Sequence, residues 1–251
     1  MESRYQYQKN LPGWGEEGQD RLNNSHVSVV GAGGLGSWSA PMLVRAGVKT
    51  ITIYDPDIVD ETNLHRQNYT QRQALTSKSK VSSLAEHLKS INIAGNYHER
   101  PFKFIYKDAL TLSQYDIVID GIDNWDTKFL LNDGSKRSGV PLVYGGISGV
   151  QGMVHAVLPK TEKGETPWEA EGIHTYDLRE IFGDIPEYKK KSHNNGRDEL
   201  PGILAPMLPI VANIQVIEAL KILTRNYHAV NQDLLSINGW AGQYRSLQVR
   251  C

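Results

Sequence analysis

Cysteine is nearly absent: one occurs in 251 residues, at Cys251. A single thiol excludes a disulfide within the chain and any zinc site built from several cysteines. Long apolar runs are lacking too. No stretch approaches the roughly 20 apolar residues that cross a bilayer. The opening MESRYQYQKN carries charges instead of an apolar run, so it does not read as a secretory signal. Neither sign of charge dominates, since 27 basic and 28 acidic side chains leave a net charge of −1. That balance creates no field to gather nucleic acid or anionic membrane, and a partner has to be recognised locally. Histidines at metal-binding spacing are missing, with His65, His155, His174 and His193 scattered. A cytoplasmic location is expected by elimination.

What is present is ordinary globular material. Hydrophobic residues make up 39% and charged residues 22%, enough for a core, and the length suits one large α/β unit. HVSVVG (26–31), TITIYD (50–55), DIVIDG (116–121) and PLVYGG (141–146) are short apolar runs of the buried-strand type. Helical patterns fall between them, at 34–47 ending on Gly47, at 77–92 with Val81, Leu84, Leu88 and Ile91, and near 124–138. The alternation predicts an α/β fold, a Rossmann-like doubly wound sheet with mainly parallel strands. In the second half, 152–159, 233–239 and 244–250 read as antiparallel or mixed extensions. A helix is expected over 209–223, with Pro209 in its first turn and Ile210, Ile214, Ile217 and Leu220 along one face. Residues 160–200 are polar and nearly aperiodic, as a lid or loop would be. Lys189, Lys190 and Lys191 within them read as a wet surface or as a grip on an anionic substrate.

Gly31-Ala32-Gly33-Gly34-Leu35-Gly36 matches G-x-G-x-x-G between a strand and a helix. Gly31 permits the tight turn, Gly33 lets backbone approach a phosphate, and Gly36 lets the helix sit close on the sheet. The helix start contributes unpaired N–H groups and a positive dipole end. Asp55, 19 residues beyond Gly36 at a strand tip, is placed to accept from ribose hydroxyls. Taken alone, the pattern suits a nicotinamide or flavin enzyme as well as an ATP enzyme.

The next loop separates these readings. DPDIVDETNLHRQ runs from Asp55 through Asp57, Asn63 and Arg66 to Gln67, followed by Lys80 and then by Asp120-Gly121-Ile122-Asp123-Asn124. This order resembles the ThiF/MoeB/HesA family, bacterial relatives of ubiquitin-activating enzymes. Its members show a glycine loop, D-x-D-x-V-x-x-x-N-L-x-R-Q, a lysine and D-x-x-D-N. The likeness runs from about Arg4 to Arg250 and is best over the first 150 residues. It implies a single adenylation domain over 1–251, with 1–150 as the nucleotide half and 151–251 as the substrate half. The implied cofactors are ATP and Mg²⁺. Gly31, Gly33, Gly34, Gly36, Asp55, Asp57, Asn63, Arg66, Gln67, Lys80, Asp123 and Asn124 are the expected nucleotide contacts. Arg66, Lys80 and Asp123 are expected to carry the chemistry. Arg66 supplies a planar fork and Lys80 a point charge for phosphate oxygens, and Asp123 is suited to hold Mg²⁺. Read singly, each has a plainer role: Lys80 as a solvated helix residue, Arg66 in a surface ion pair, Asp123 as the cap of the helix starting at Asn124.

Three departures from the family pattern bear on function. Many relatives carry two Cys-x-x-Cys pairs for zinc. Here Thr166-Pro167-Trp168-Glu169-Ala170 stands near the first pair and Cys251 near the second, so no zinc of that type is expected. Packing through Trp168 and Trp240 would replace it, unless these are ordinary core residues. Thioester-forming members place a cysteine before a segment aligned with Pro201–Pro206, where this chain has Asp198. The reaction is therefore expected to stop at the acyl adenylate or pass to an external nucleophile. Relatives often begin R-Y-x-R-Q, the second arginine reaching across a dimer, whereas here Tyr7 holds its place.

The resemblance implies ATP-dependent adenylation of a carboxylate by a homodimer. The acid is a small molecule of cofactor or natural-product biosynthesis, such as the guanylylpyridinol carboxylate, or the C-terminus of a peptide or ubiquitin-like protein. A non-catalytic partner of an activating enzyme and an NAD-dependent dehydrogenase are the alternatives.

Overall fold

Val27, Val29 and Val30 are fully buried, as a strand covered on both faces requires. They form β1 (His26–Val30), which pairs in parallel with β2 (Thr50–Tyr54) on one side and β4 (Ile117–Asp120) on the other. The computed structural model describes residues 4–160, 164–183 and 202–249. Among these residues, one eight-stranded sheet runs in the order β3-β2-β1-β4-β5-β6-β7-β8. Its remaining strands are β3 (Asn96–Arg100), β5 (Leu142–Ser148), β6 (Gln151–Val157), β7 (Leu234–Asn238) and β8 (Gln243–Leu247). The first five strands are parallel, and β5 to β8 pair antiparallel. The chain order reverses between β1 and β4, where doubly wound sheets open a crevice at their carboxyl ends.

The helices occupy both faces. On one lie α3 (Gly36–Ala46), α5 (Lys80–Ile91) and α10 (Met207–Leu223), over a core that includes Leu43, Ile51, Leu84, Leu88 and Val211. On the other lies α7 (Trp125–Ser138), with Phe129, Leu131, Tyr144 and Leu178 in a second core. Gly47 ends α3 at a positive φ of 119°, the left-handed cap that its position suggests. The short helices α1 (Gln6–Lys9), α2 (Gly15–Asn24), α4 (Gln71–Leu75) and α6 (Tyr106–Ala109) lie in the first half.

Three expectations change. The strand β3 was not foreseen, because only Tyr97 of NYHER is buried and an edge strand shows little apolar pattern. On α10, Ile210, Ile214 and Leu220 pack against the core only partly buried, at the margin of the face that is fully covered. Leu208, Val211, Ala212, Val216 and Ala219 are buried, while Ile217 is half exposed. The helix is apolar nearly all round, so its sequence does not reveal which side meets the sheet. Part of the expected lid is also anchored: α8 (Pro167–Ala170) buries Trp168, and α9 (Leu178–Phe182) buries Leu178. Trp240 is 79% exposed and packs nothing into a core. Lys189, Lys190, Lys191, His193, Asp198 and Cys251 lie outside the described residues.

Candidate active site

The carboxyl ends of β1, β2, β4 and β5 surround a cavity of about 790 Å³. Its floor is the glycine loop. Gly31 has φ +94°, and a Cβ there would sit 2.5 Å from the Gly121 carbonyl oxygen. A Cβ on Gly36 would collide with the Gly31 carbonyl. Only glycines let the β1–α3 turn and the β4 tip cross at this distance. The loop is then tied down from two sides. Tyr69 Oη donates to the Ala32 carbonyl at 2.7 Å, and the Ala32 N–H donates to Asp55 Oδ2 at 2.7 Å.

Gly31, Gly33, Gly34, Asp55, Asp57, Arg66, Gln67, Lys80, Asp123 and Asn124 all line this cavity. Gly36 and Asn63 stand behind it. Asn63 Oδ1 accepts from Arg66 Nη2 at 2.7 Å, so it orients the guanidinium at the cavity wall. The Asn63–Gln67 loop is docked on α3 by Trp38 Nε1, which donates to the Arg66 carbonyl at 3.1 Å, and by the Asn68 N–H, which donates to Ser37 Oγ at 3.0 Å. Gln67 is buried, with its Oε1 lacking a hydrogen-bond partner. An unsatisfied acceptor in a cavity wall is costly unless a ligand meets it.

The plainer readings fail at two positions. Lys80 is not a solvated helix residue: it is buried at the start of α5, with Nζ 2.8 Å from Asp57 Oδ2 and 4.0 Å from Asp55 Oδ1. Asp55 also accepts the Asp57 N–H, and burial raises its pKa against the opposing pull of Lys80. The α7 cap is Asn124, whose Oδ1 accepts the Thr127 N–H at 3.0 Å. Asp123 is therefore free of the capping role and exposed at the cavity's edge.

Sequence reasoning missed a second layer. Lys128 Nζ donates to Asp120 Oδ2 at 2.6 Å and to the Gly145 carbonyl at 2.8 Å, and both side chains are buried. Burial raises the Asp120 pKa, and Lys128 opposes that shift. From the other face, Gln215 Nε2 donates to the carbonyls of Asp120 and Val143 at 2.9 and 3.1 Å. The β4–β5 ladder covers only Val118↔Leu142 and Ile119↔Val143. Lys128 and Gln215 thus plug, from opposite faces, the gap where those strands part. Their sequence signal is slight: a polar residue at an inward helical position. His155 is structural, its ring nitrogens facing the Tyr176 and Asp233 carbonyls.

The model of the ThiF family matches residues 5–251. The chain belongs to the ThiF family. A ThiF-family relative from Thermus thermophilus, the sulfur carrier protein adenylyltransferase, is 38% identical over 98% of this chain and 87% of its own length. The ThiS adenylyltransferase of Bacillus subtilis is 31% identical over 89% of this chain. The chain spans 62% of that relative's length and 60% of the Mycobacterium tuberculosis MoeZ protein's. Among solved structures, E. coli MccB with ATP has a TM-score of 0.74 at 20% identity, covering 93% of this chain and 66% of MccB. PaaA has a TM-score of 0.73 at 20% identity, covering 93% and 75%. These two establish the shared ThiF-type fold.

Proposed function

We propose that this cavity binds ATP with Mg²⁺ and transfers AMP to a carboxylate, releasing pyrophosphate. The observation that carries the reading is the cradle itself. The glycine loop at the start of α3 is flanked by Arg66 and Lys80 on the β2 side and by the exposed Asp123 at the β4 tip. In this reading Asp55 holds the ribose, while Phe104 and Trp125 wall the base. The N–H groups of Gly33 and Gly34 meet phosphate oxygens. Arg66 and Lys80 neutralise the triphosphate, and buried Gln67 backs the glycine loop beside Gly33. Attack of the acid's oxygen on the α-phosphorus forms the acyl phosphate bond and breaks the α–β phosphoanhydride.

The donor set fits magnesium. Among the described residues no cluster of three or more His, Cys, Asp or Glu side chains could hold a metal alone. One carboxylate plus phosphate oxygens is the usual Mg²⁺ arrangement. Asp123 would supply that carboxylate, and the ion would offset charge on the phosphates.

The acid is the C-terminus of a small carrier protein or peptide, or a small-molecule carboxylate. Relatives named for sulfur carrier adenylation and an MccB structure containing MccA favour the first. The homodimer is supported by apolar surface on neighbouring helices, Met42 on α3 and Ile217 on α10, each 40% exposed or more. No described helix is long and apolar enough to cross a membrane.

ATP–pyrophosphate exchange, screened against carrier proteins, peptides and small carboxylates, tests the reading. Exchange should appear with one class of acid and vanish in Asp123→Ala. Calorimetry showing tight NAD binding without affinity for Mg·ATP would overturn it in favour of a dehydrogenase.

A further inference from the structure

We infer that Lys128 binds the carboxyl group of the acid and so selects which end of the cavity the acid enters; the inference rests on the adenylation reading of the same site. A lysine ammonium has three N–H donors. Two are committed here, to Asp120 Oδ2 and to the Gly145 carbonyl, and both fix the ammonium with little freedom to move. The Tyr144 ring lies 4.8 Å from Nζ at its centroid. Lys128, Tyr144, Gly145 and Gly146 together form one wall of the cavity. The remaining side of the ammonium is shared between the Tyr144 ring and the cavity, and there a bound acid offers an oxygen acceptor.

The position of this cation separates it from the phosphate-handling pair. Arg66 and Lys80 arrive from the β2–α5 connection. Lys128 arrives from α7 at the gap between β4 and β5, two to three strand spacings away. At about 4.8 Å per strand that separation is roughly 12 Å. A triphosphate held at the first pair leaves Lys128 facing the far side of the α-phosphorus, where the acid has to lie.

The chemistry of the pair also fits. Asp120 neutralises Lys128, so the wall has no net charge to trap pyrophosphate or free anions strongly. Yet the ammonium keeps a directed donor for a carboxylate oxygen before reaction and for the acyl carbonyl afterwards. Glycines at 145 and 146 leave that approach without side chains. A Cβ at Gly145 would collide with the Gln215 amide and one at Gly146 with the Tyr144 hydroxyl, so close packing keeps both positions as glycine.

The experiment compares two probes by calorimetry. 5′-O-(N-glycylsulfamoyl)adenosine mimics an acyl adenylate, and adenosine 5′-sulfamate is the same molecule without the acyl group. Their affinity ratio reads what the glycyl group and the ionised acyl sulfamate nitrogen contribute together, and the variants show how much of it depends on Lys128. Removing one member of a buried ion pair strands the other, so Lys128→Met is combined with Asp120→Asn. The wild type should prefer the acylated probe. That preference should fall about tenfold or more in the double variant, in keeping with a lost charge-assisted hydrogen bond, and persist in part in Lys128→Arg. The same comparison in Lys128→Gln guards against a folding loss in the double variant. An undiminished preference in the variants, or none in the wild type, would overturn the role of Lys128. Failure of the wild type to bind either probe would overturn the adenylation reading itself.

Discussion

Gly31 and Lys80 show how much a single residue decides in this cavity. The backbone at Gly31 has a positive φ, and its neighbour across the gap is the rigid carbonyl of Gly121. Gly31→Ala combines an unfavourable conformation with a collision. It should destabilise the protein by more than about 1 kcal/mol, read as a lower urea midpoint with an unchanged slope. Lys80 is different, because its charge is held at the cavity wall by Asp57. Lys80→Met removes a cation from the phosphate side while keeping the stem's volume. The exchange rate should fall by about 10²–10³, the size expected for one lost electrostatic contact in a preorganised site. A variant exchanging at the wild-type rate would remove Lys80 from the chemistry.

At the scale of elements, α9 is the clearest case of docking by charge. Arg179 forms a two-pronged contact with Asp133 of α7, Lys136 of α7 pairs with Asp177, and the Leu178 N–H donates to Asn132 Oδ1. The Arg179 hydrogen bonds hold Asp133 below the ordinary carboxylate value of 3.8. Burial, the largest single influence, pushes Asp177 upward, but the Lys136 ammonium and the Glu180 and Arg179 N–H groups together outweigh it and leave that group lowered as well. Folded values below the unfolded one mean stability that is fully present above pH 3.8 and lost as pH falls through the folded values. Amide hydrogen exchange across 178–182 should therefore accelerate, after correction for intrinsic rates, as pH drops below about 4. Arg179→Ala should make that acceleration shallower. The same scale covers α10, where Gln215→Leu would leave the Asp120 and Val143 carbonyls without their partner. A cost of about 1–3 kcal/mol is expected in chemical denaturation.

For the molecule as a whole, one sheet carries both halves of the chain, and the cavity draws on strands from each side of the β1/β4 reversal. Met42 on α3 and Ile217 on α10 are apolar side chains left exposed on neighbouring helices. Ile217→Glu places a charge there without touching the core or the cavity. If two copies meet on this face, the variant should sediment as a monomer where the wild type sediments as a dimer, with its melting temperature read at matched concentration. Wild-type protein that is monomeric at micromolar concentration would remove the dimer from the proposal. Tyr7, 92% exposed on α1, gives no anchor within its own subunit.

The local chemistry is written in the residues themselves. Buried parallel strands need continuous apolar runs, a phosphate loop needs glycines at fixed offsets, and Gly47 marks a helix end, so these features are legible without a structure. The string from Asp55 to Gln67, with Lys80 and Asp123, likewise announces its members in order. Tertiary structure decided what depends on distant neighbours. It put Asn63 behind Arg66, gave the α7 cap to Asn124, buried one side of an evenly apolar α10, and recruited polar NYHER as an edge strand. It also brought Lys128, Asp120, Gly145 and Gln215 to one gap between strands. Periodicity reports which face of an element prefers water, but partners contributed by separate elements are fixed only when the sheet and its helices pack.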